Sequence, residues 1–390
     1  MQRKEPPAMK MVNAWTREID EEEDAIAEIE AMIDGKLSAN SVGIVTCHPD
    51  YAGNGTLVKL AEKLPFEIVG CTTNLSATSG EIDSELLQLS VLTADDADFA
   101  VEYTADLNAG NYEEEIHHMV ERAEERLGAK PKLGLIFSPI LPDLGVDAFL
   151  DALDKETGGI PLFGSVMAGF RPDFSDGLVI ANGAASPGSL AVAFIAGNVT
   201  PRCYLHSIAN KNVRPQKAIV TKSEGYFVKG VNGIPYFDYL RSVGFDLKSA
   251  ADWSNLPALF DLKDGATAIA LGIYGVTEDG SVQFARKIPE GTTFSVGVVD
   301  PESILATDEA MIRDLLAGDA PSALFIAPCV TRYFMLAPTS DVEAENIVGA
   351  VGDKAPYALF YSGGEICPIT EKDGALSNQL HNYSIIALAL

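Results

Sequence analysis

Residues 356–390 read PYALFYSGGEICPITEKDGALSNQLHNYSIIALAL, and this stretch decides the fold. The apolar run at 357–361 predicts a buried strand, which ends at Ser362-Gly363-Gly364. Two glycines in a row allow the backbone to turn where side chains would hinder it. We therefore expect a core strand followed by a tight corner.

Polar groups flank the corner and the next apolar run. Glu365 follows the glycines directly, and His381 and Asn382 come just before the final run at 384–390, which predicts a second core strand. Because strand ends in α/β sheets are the usual place for a ligand, we expect these three side chains to face a common pocket.

The same order of elements occurs twice earlier in the chain, by pattern and not by identity. Each unit has a strand, a helix, a second strand and a third strand. The second strand has proline at or next to its first residue, and it ends at a corner of small residues. The three units comprise residues 41–47, 55–64, 65–70 and 86–93; residues 132–138, 146–153, 160–164 and 177–183; and residues 322–327, 341–351, 356–361 and 384–390. Their corners read GCTT at 70–73, GSVM at 164–167 and SGGE at 362–365.

Each unit leaves an apolar face that shared sheets would bury, so the pattern predicts an α/β fold of mixed sheets flanked by helices. Residues between the second and third units read mostly as short strands with turn residues between them. A chain of 390 residues suggests two domains. We place them at 1–200 and 201–390, and we expect residues 1–15 to be frayed.

Composition narrows the function classes. The formal net charge is −28 and the pI is about 4.4, and such a surface repels nucleic acid and anionic membranes. No run approaches the ~18 apolar residues of a membrane helix, and no apolar segment follows the charged start as in a signal peptide. We expect a cytoplasmic protein that binds neither nucleic acid nor membrane.

The five cysteines are odd in number and widely spaced, so neither a disulfide framework nor a zinc site is expected. Cys71 follows a strand, and Cys329 lies near Arg332. A thiolate beside a guanidinium would be acidified and nucleophilic, whereas a free cysteine is also an ordinary small buried residue. Both interpretations stay open.

Arg332 and Glu365 follow strand ends in the third unit. Together they would suit the carboxylate and the ammonium of an amino acid, and a structural salt bridge is the plain alternative. His381 is a candidate general base, a metal ligand, or a hydrogen-bonded structural residue. The common signatures of hydrolases, P-loop proteins and dinucleotide-binding enzymes are missing from the sequence.

These residues resemble a known family, the FIST sensory domain proteins, which pair a FIST N with a FIST C region. The resemblance covers nearly the whole chain beyond the first dozen residues. It is carried by PFEIVGCTTN (65–74), IPLFGSVMAG (160–169), DGLVIANGAAS (176–186), SLAVAFIAG (189–197), VNGIPYFDYL (231–240), EDGSVQFARKIPEGT (278–292), APCVTRY (327–333), FYSGGEICP (360–368) and LHNYSIIALAL (380–390). One departure is Gly363, where the family often has an aromatic residue.

The resemblance implies an intracellular module of signal transduction that binds small molecules such as amino acids. No output domain is expected within these residues, so a separate signalling protein is the expected partner, and a homo-oligomer is possible. Some bacterial relatives are reported as haem-dependent gas sensors. Three interpretations follow: a ligand-binding sensor with no cofactor and no metal, a thiol enzyme that uses Cys329 or Cys71 with His381 as base, and a haem protein with a histidine as axial ligand.

We prefer the sensor, and we assign no catalytic residue. Its ligand is expected in a cleft between the halves, bounded by the three corners. The predicted ligand-binding residues are Cys71, Thr72, Ser165, Cys329, Arg332, Gly364, Glu365, His381 and Asn382.

Overall fold

Three six-stranded sheets and one seven-stranded sheet make up the described fold. The computed structural model describes residues 9–171, 174–245, 247, 255–261, 268–371 and 373–390. The six-stranded sheets share one order of elements: an edge strand, a helix, a strand, a helix, a parallel strand, a hairpin and a return strand. The chain therefore contains three structural repeats.

The first repeat comprises β1 (Met9–Thr16), α1 (Glu22–Ile33), β2 (Asn40–Cys47), α2 (Asp50–Gly53), α3 (Thr56–Lys63), β3 (Glu67–Thr72), β4 (Ser76–Thr78), β5 (Glu81–Asp83) and β6 (Leu87–Ala94). The second comprises β7 (Ala97–Tyr103), α4 (Tyr112–Leu127), β8 (Leu133–Ser138), α5 (Val146–Thr157), β9 (Leu162–Val166), β10 (Val179–Ala181), β11 (Ala184–Ser186) and β12 (Ala191–Gly197).

The third repeat begins with β13 (Arg202–His206), and a seven-stranded antiparallel sheet is then inserted into it. This inserted sheet is built from β14 (Val213–Glu224), β15 (Phe227–Val231), α6 (Tyr236–Ser242), β16 (Ala258–Phe260), β17 (Ile269–Leu271), β18 (Gly275–Val276), β19 (Val282–Gln283) and β20 (Thr293–Gly297). The repeat resumes with α7 (Pro301–Leu315), β21 (Leu324–Pro328), α8 (Val330–Met335), α9 (Val342–Val351), β22 (Tyr357–Phe360), β23 (Gly364–Thr370), β24 (Leu376–His381) and β25 (Ile385–Ala389). Turns of 3₁₀ helix lie at Asn210–Asn212 and Gly352–Lys354.

Each repeat gives its hairpin to the sheet of another repeat. The β4–β5 hairpin of the first repeat pairs through β4 with β22 of the third. The β10–β11 hairpin of the second pairs with β3 of the first, and the β23–β24 hairpin of the third pairs with β9 of the second. The exchange is cyclic, so each six-stranded sheet contains strands from two repeats.

The cores follow the same threefold plan. One central cluster contains residues of all three six-stranded sheets, including Val42, Leu135 and Phe325. Three outer clusters lie between each sheet and the helices of its own repeat, and a fourth fills the inserted sheet. Each six-stranded sheet is thus buried on both faces, which explains the nearly continuous apolar runs of its central strands.

Glycines set the close approach of the parallel strands. An added Cβ at Gly70 would lie 1.7 Å from the Val45 carbonyl oxygen, and one at Gly164 would lie 1.8 Å from that of Ile136. These two glycines occupy the same place in β3 and β9, next to the corners. The first two corners therefore require glycine for steric reasons.

The α/β prediction and the predicted repeats are confirmed, with local differences. Residues 9–15, which were expected to be frayed, form most of β1, because alternate residues such as Met9 and Met11 are buried against β6; residues 1–8 lie outside the described part. The strand predicted at 177–183 is part of an exchanged hairpin, and β12 is the return strand of the second repeat. Within the described residues, no helix is long and apolar enough to cross a membrane.

Candidate functional site

The three corners touch one another at the centre of the molecule. Thr72 Oγ1 donates to the Ala168 carbonyl oxygen at 2.7 Å, and the Ala168 amide donates to the Thr72 carbonyl oxygen at 3.1 Å. The Gly363 amide donates to the Val166 carbonyl oxygen at 3.0 Å. Thr73 Oγ1 donates at 2.7 Å to the carbonyl oxygen of Tyr361, which directly precedes the third corner. The structure therefore joins segments that are far apart in sequence.

Three small polar side chains of the corners lie close together. The Cys71 side chain interacts with the Ser165 hydroxyl, which lies 2.9 Å from Ser362 Oγ. Ser362 Oγ in turn donates to the Gly364 carbonyl oxygen at 2.7 Å and accepts from the Gly364 amide at 3.1 Å. All of these groups are buried. Side-chain hydrogen bonds thus link the three repeats at their meeting point.

Glu365 is a fully buried carboxyl group beside the third corner. Its Oε2 accepts hydrogen bonds from Ser384 Oγ at 2.6 Å and from the Ser384 amide at 3.3 Å, and the Cys329 thiol faces the same carboxyl group. Oε1 has no hydrogen-bond partner among the described residues. Burial raises the pKa of Glu365 to about 8, and the bonds from Ser384 only partly offset this effect. The group is therefore mostly protonated at neutral pH.

The two thiols that were considered as nucleophiles are also fully buried. Burial raises the pKa of Cys71 to about 12. For Cys329, burial and then the charge of Glu365 raise the thiol pKa. Reactive cysteines need a lowered pKa and some exposure, so this environment does not favour either as a nucleophile.

Arg332 lies at the centre of a separate buried network. Its guanidinium donates to Glu343 Oε1 at 2.7 Å and to Asp308 Oδ1 at 2.6 Å. Burial disfavours the charged guanidinium, but the two facing acids outweigh it and raise the pKa of Arg332. Further acceptors are Thr307 Oγ1 and the carbonyl oxygens of Ile304 and Tyr383. Arg332 lies within electrostatic range of Glu365, but its ion pairs are with the acids of α7 and α9.

His381 and Asn382 join the corners to the inserted sheet. His381 is the cross-strand partner of Glu365, and its Nε2 lies 3.1 Å from the Cys367 carbonyl oxygen. Asn382 Nδ2 donates to the Tyr274 hydroxyl at 3.2 Å, and that hydroxyl donates to the Gly363 carbonyl oxygen at 3.1 Å. Tyr274 directly precedes β18, so one strand of the inserted sheet is anchored on the third corner.

The surroundings of His381 do not fit a haem. The side chain is 2% exposed, and burial lowers its pKa to about 4, so the imidazole is neutral at pH 7. One ring nitrogen already faces a backbone carbonyl group of the paired strand β23. An axial ligand needs open space beside the ring for the macrocycle, and a side chain buried to this degree has none.

The structure therefore brings together most of the residues that the sequence singled out. Four of them meet at the corners: Cys71, Thr72, Ser165 and Gly364. Four others lie around the third corner: Cys329, Glu365, His381 and Asn382. Arg332 belongs instead to the network between α7 and α9. All nine residues are buried, and Gly364 is enclosed by Leu380 and Val166. A direct contact between any of them and a ligand remains a prediction.

An open groove lies at the junction of the inserted sheet and the second repeat. Its volume is about 730 Å³. The β14–β15 and β18–β19 turns form two sides, and the loop after β8 forms a third. The lining residues are Pro142, Asp143, Glu224, Gly225, Tyr226, Phe227, Lys229, Thr277, Glu278, Asp279, Ser281 and Lys287.

Both signs of charge are present in the groove. Lys229 is paired with Glu224, whereas Lys287 has no ion-pair partner among the described residues, and its Nζ lies 5.6 Å from the centre of the Tyr226 ring. Hydrogen bonds from Thr277 and from the Ser281 side chain and amide lower the pKa of Asp279 to about 2, so this rim carboxylate is ionised at neutral pH. The groove can therefore pair with a cation and with an anion at once.

Sequence reasoning did not identify the groove. The segments around Glu278 and Lys287 were expected only as part of the short strands and turns between the second and third units. Their local signal is a charged residue at a turn, and such residues are usually solvated, so nothing in the pattern separates them from other turns. Only the docking of the inserted sheet on the second repeat, through Gln283 Nε2 to the Pro142 carbonyl oxygen and the Lys287 amide to Asp147, brings the three walls together.

A comparison with solved structures matched, among others, two cyanuric acid hydrolases. One, described as "Cyanuric acid hydrolase: evolutionary innovation by structural concatenation", is 10% identical over 98% of this chain and 98% of that chain, with a TM-score of 0.35. The other, from A. caulinodans, is 12% identical over 98% of this chain and 99% of that chain, with a TM-score of 0.38. Scores this low carry no argument about the activity of this chain.

A comparison with curated protein sequences found no significant match. Family comparison is decisive, because two adjoining domain families together match most of the chain. The first match ends within the inserted sheet, and the second ends in β23. The chain belongs to the FIST family, with a FIST N domain at residues 41–234 and a FIST C domain at residues 239–368.

Proposed function

We propose that this protein senses a small zwitterionic metabolite, such as an α-amino acid, and binds it in the groove between the inserted sheet and the second repeat. FIST domains imply a sensory role based on small-molecule binding. The observation that carries the proposal is the groove itself, which has a volume of about 730 Å³ and offers a lysine without an ion pair beside several carboxylates. That volume is within the usual range for small-molecule sites.

The charges suggest how such a ligand is held. The ligand carboxylate pairs with Lys287, and the ligand ammonium pairs with Asp143 or Glu278 across the groove. Phe227, which is half-buried, and Tyr226 supply an apolar wall for the remainder of the ligand. Rim carboxylates outnumber lysines in the groove, which favours a zwitterion or a cation over a dianion.

A path for the signal runs from the groove to the corners. Thr277 and Ser281, in the β18–β19 turn, line the groove, and Tyr274 precedes β18 by one residue. Its hydroxyl contacts both Gly363 and Asn382. A ligand that binds one position of this turn better than another shifts the population of the third corner by that difference in affinity.

The signal is passed to a separate signalling protein, and the working compartment is the cytoplasm. The support for this compartment is the set of five free cysteines, four of them buried, since such thiols persist in a reducing compartment. The buried residues that meet at the corners then take part by transmitting the signal, and Asn382 contacts Tyr274 of the insertion directly.

Calorimetric titration with the proteinogenic amino acids and related metabolites tests the proposal. At least one should bind, and Lys287→Ala should weaken its binding about tenfold or more, because a charge pair worth about 1.4 kcal/mol is lost. Lys211→Ala is the matched control, since Lys211 is exposed and lies outside the groove. Lack of any binder, or a binder equally affected by both variants, would overturn the assignment.

A further inference from the structure

Two cysteines from distant parts of the chain meet between two sheets. Cys203 is in β13, the edge strand of the third repeat's sheet, and Cys367 is in β23, the hairpin strand that pairs with β9 in the second repeat's sheet. Their side chains interact, and Cys367 Sγ lies 3.8 Å from the Tyr204 carbonyl oxygen, next to Cys203. Strands β13 and β23 therefore approach each other through these sulfur atoms.

The two thiols differ in their surroundings. Cys203 is partly exposed on an edge strand, whereas Cys367 is fully buried. The neighbouring Cys367 side chain lowers the pKa of Cys203, whereas the Cys203 side chain and burial raise the pKa of Cys367. A partly exposed thiol with a lowered pKa, beside a second thiol with a raised pKa, is the arrangement of a redox-sensitive pair.

We propose that Cys203 and Cys367 are a peroxide-sensitive pair that forms a reversible disulfide between β13 and β23. The Cys203 thiolate attacks one oxygen of hydrogen peroxide, the O–O bond breaks, and hydroxide leaves. The product is a sulfenic acid at Cys203. The Cys367 thiol then attacks that sulfur, the S–O bond breaks, and the departing hydroxide takes the Cys367 proton to form water. In total, two electrons pass from the thiols to the peroxide, and two water molecules are released after the first hydroxide is protonated.

The bond changes the molecule at a defined place. It ties the edge of the third sheet to a strand of the second sheet, and β23 also carries Glu365 at the third corner. A cross-link between segments far apart in sequence stabilises the folded state by restricting the unfolded chain. The bond therefore makes the exchanged hairpin harder to release. This inference does not depend on which ligand occupies the groove.

Mass spectrometry of the folded full-length protein tests the proposal. Treatment with one equivalent of hydrogen peroxide should remove two hydrogen atoms from the intact mass, and proteolytic peptides should show one bond between Cys203 and Cys367 that a dithiol reverses. Cys47, Cys71 and Cys329 are the internal controls, because they are buried and should stay unmodified. A bond between other cysteines, a stable oxygenated Cys203 in the wild type, or no reaction would overturn the proposal.

Two variants separate the steps. In Cys367→Ser, Cys203 should still be oxidised but should persist as a sulfenic acid that reacts with dimedone. In Cys203→Ser, peroxide should leave Cys367 unmodified. The oxidised wild type should melt at a higher temperature than the reduced protein, and neither variant should show that difference. Cys203→Ala replaces Cys203→Ser if the latter does not fold. Equal dimedone labelling of wild type and Cys367→Ser would show that Cys367 does not resolve the sulfenic acid.

Discussion

The buried carboxyl group of Glu365 makes folding take up a proton. Its pKa is raised to about 8, whereas an unfolded chain has a glutamate pKa of about 4.3. The stability that the Glu365 carboxyl group contributes is fully present below its pKa in the unfolded chain, and it is lost as the pH rises through its pKa of about 8 in the folded protein. Glu365→Gln removes the titration, so the variant should gain stability relative to wild type by at least about 1 kcal/mol between pH 4.5 and pH 8. Chemical denaturation at several pH values measures this difference.

The control for that experiment is Glu345→Gln, which changes an exposed glutamate in α9. The difference in unfolding free energy between this variant and wild type should stay nearly constant over the same pH range. A Glu365→Gln curve that runs parallel to wild type would show that Glu365 is ionised in the folded protein.

Loss of the Arg332 guanidinium should strongly lower the free energy of unfolding. Arg332→Met leaves Glu343 and Asp308 buried without their cation, and breaking a buried ion pair in this way costs about 3–5 kcal/mol. Arg313→Met, on the exposed side of α7, should change the free energy of unfolding by less than about 0.5 kcal/mol. Urea denaturation compares the two, and similar costs would contradict the structural role of Arg332.

The partners of Arg332 also show where sequence reasoning reaches its limit at this scale. The pairing with Glu365 was inferred from two strand ends in one repeat. The acids that bind Arg332 lie on helices, at sequence positions whose polar character looked like an ordinary solvated face. Helical periodicity identifies the buried face of α7, yet Asp308 lies on that face because a guanidinium from another helix is there to receive it.

At the scale of single elements, replacing a glycine by alanine should change the stability in opposite directions in β3 and β9 on the one hand and in α9 on the other. Gly70→Ala and Gly164→Ala each place a methyl group within 2 Å of a backbone carbonyl oxygen, at 1.7 Å and 1.8 Å, so each should destabilise the protein by about 1–3 kcal/mol or more. Gly349→Ala, in the last turn of α9 where an added Cβ meets no other atom, should stabilise it by about 0.5–1 kcal/mol. Thermal unfolding of the three variants tests the difference, and a tolerated Gly70→Ala would contradict the close approach of β2 and β3.

The β18–β19 hairpin should be coupled to the third corner through one hydroxyl group. Tyr274→Phe removes the bond to the Gly363 carbonyl oxygen and should cost about 1–2 kcal/mol. Hydrogen exchange should then accelerate in both β18–β19 and residues 362–365. Tyr103→Phe, at an exposed tyrosine, is the control and should change neither segment. Faster exchange confined to the hairpin would show that the two elements move independently.

Element types could be predicted from the sequence, because periodicity and turn residues are local signals. The strand at 41–47, the helix at 55–64 and the corner at 70–73 follow from such signals, and they are present as β2, α3 and the end of β3. The partners of the hairpins could not be predicted. Short strands such as β4 and β10 carry no feature that distinguishes the edge of their own sheet from that of another repeat.

For the whole molecule, the cyclic exchange implies that no repeat is complete by itself. A fragment of residues 1–200 lacks β23–β24, which covers the edge of β9, and it lacks β22, which receives β4. A cut at the domain boundary expected from sequence should therefore give two fragments that do not fold separately, because each would expose unpaired strand edges and half of the central core. Size-exclusion chromatography and circular dichroism of the fragments, alone and co-expressed, measure this, and only the co-expressed pair should be folded.

Removal of the inserted sheet should have the opposite outcome. Its two ends lie side by side, since the Val298 amide donates to the Asn212 carbonyl oxygen at 2.9 Å, so a short Gly-Ser linker can replace residues 213–297. That deletion takes away the cluster that fills the inserted sheet and the Tyr274 contact, but it leaves all three hairpin exchanges in place. We expect a folded, monodisperse protein with a lower melting temperature and no metabolite binding. If the deletion variant is unfolded while the 1–200 fragment is folded, the exchanged hairpins are not what holds the three repeats together.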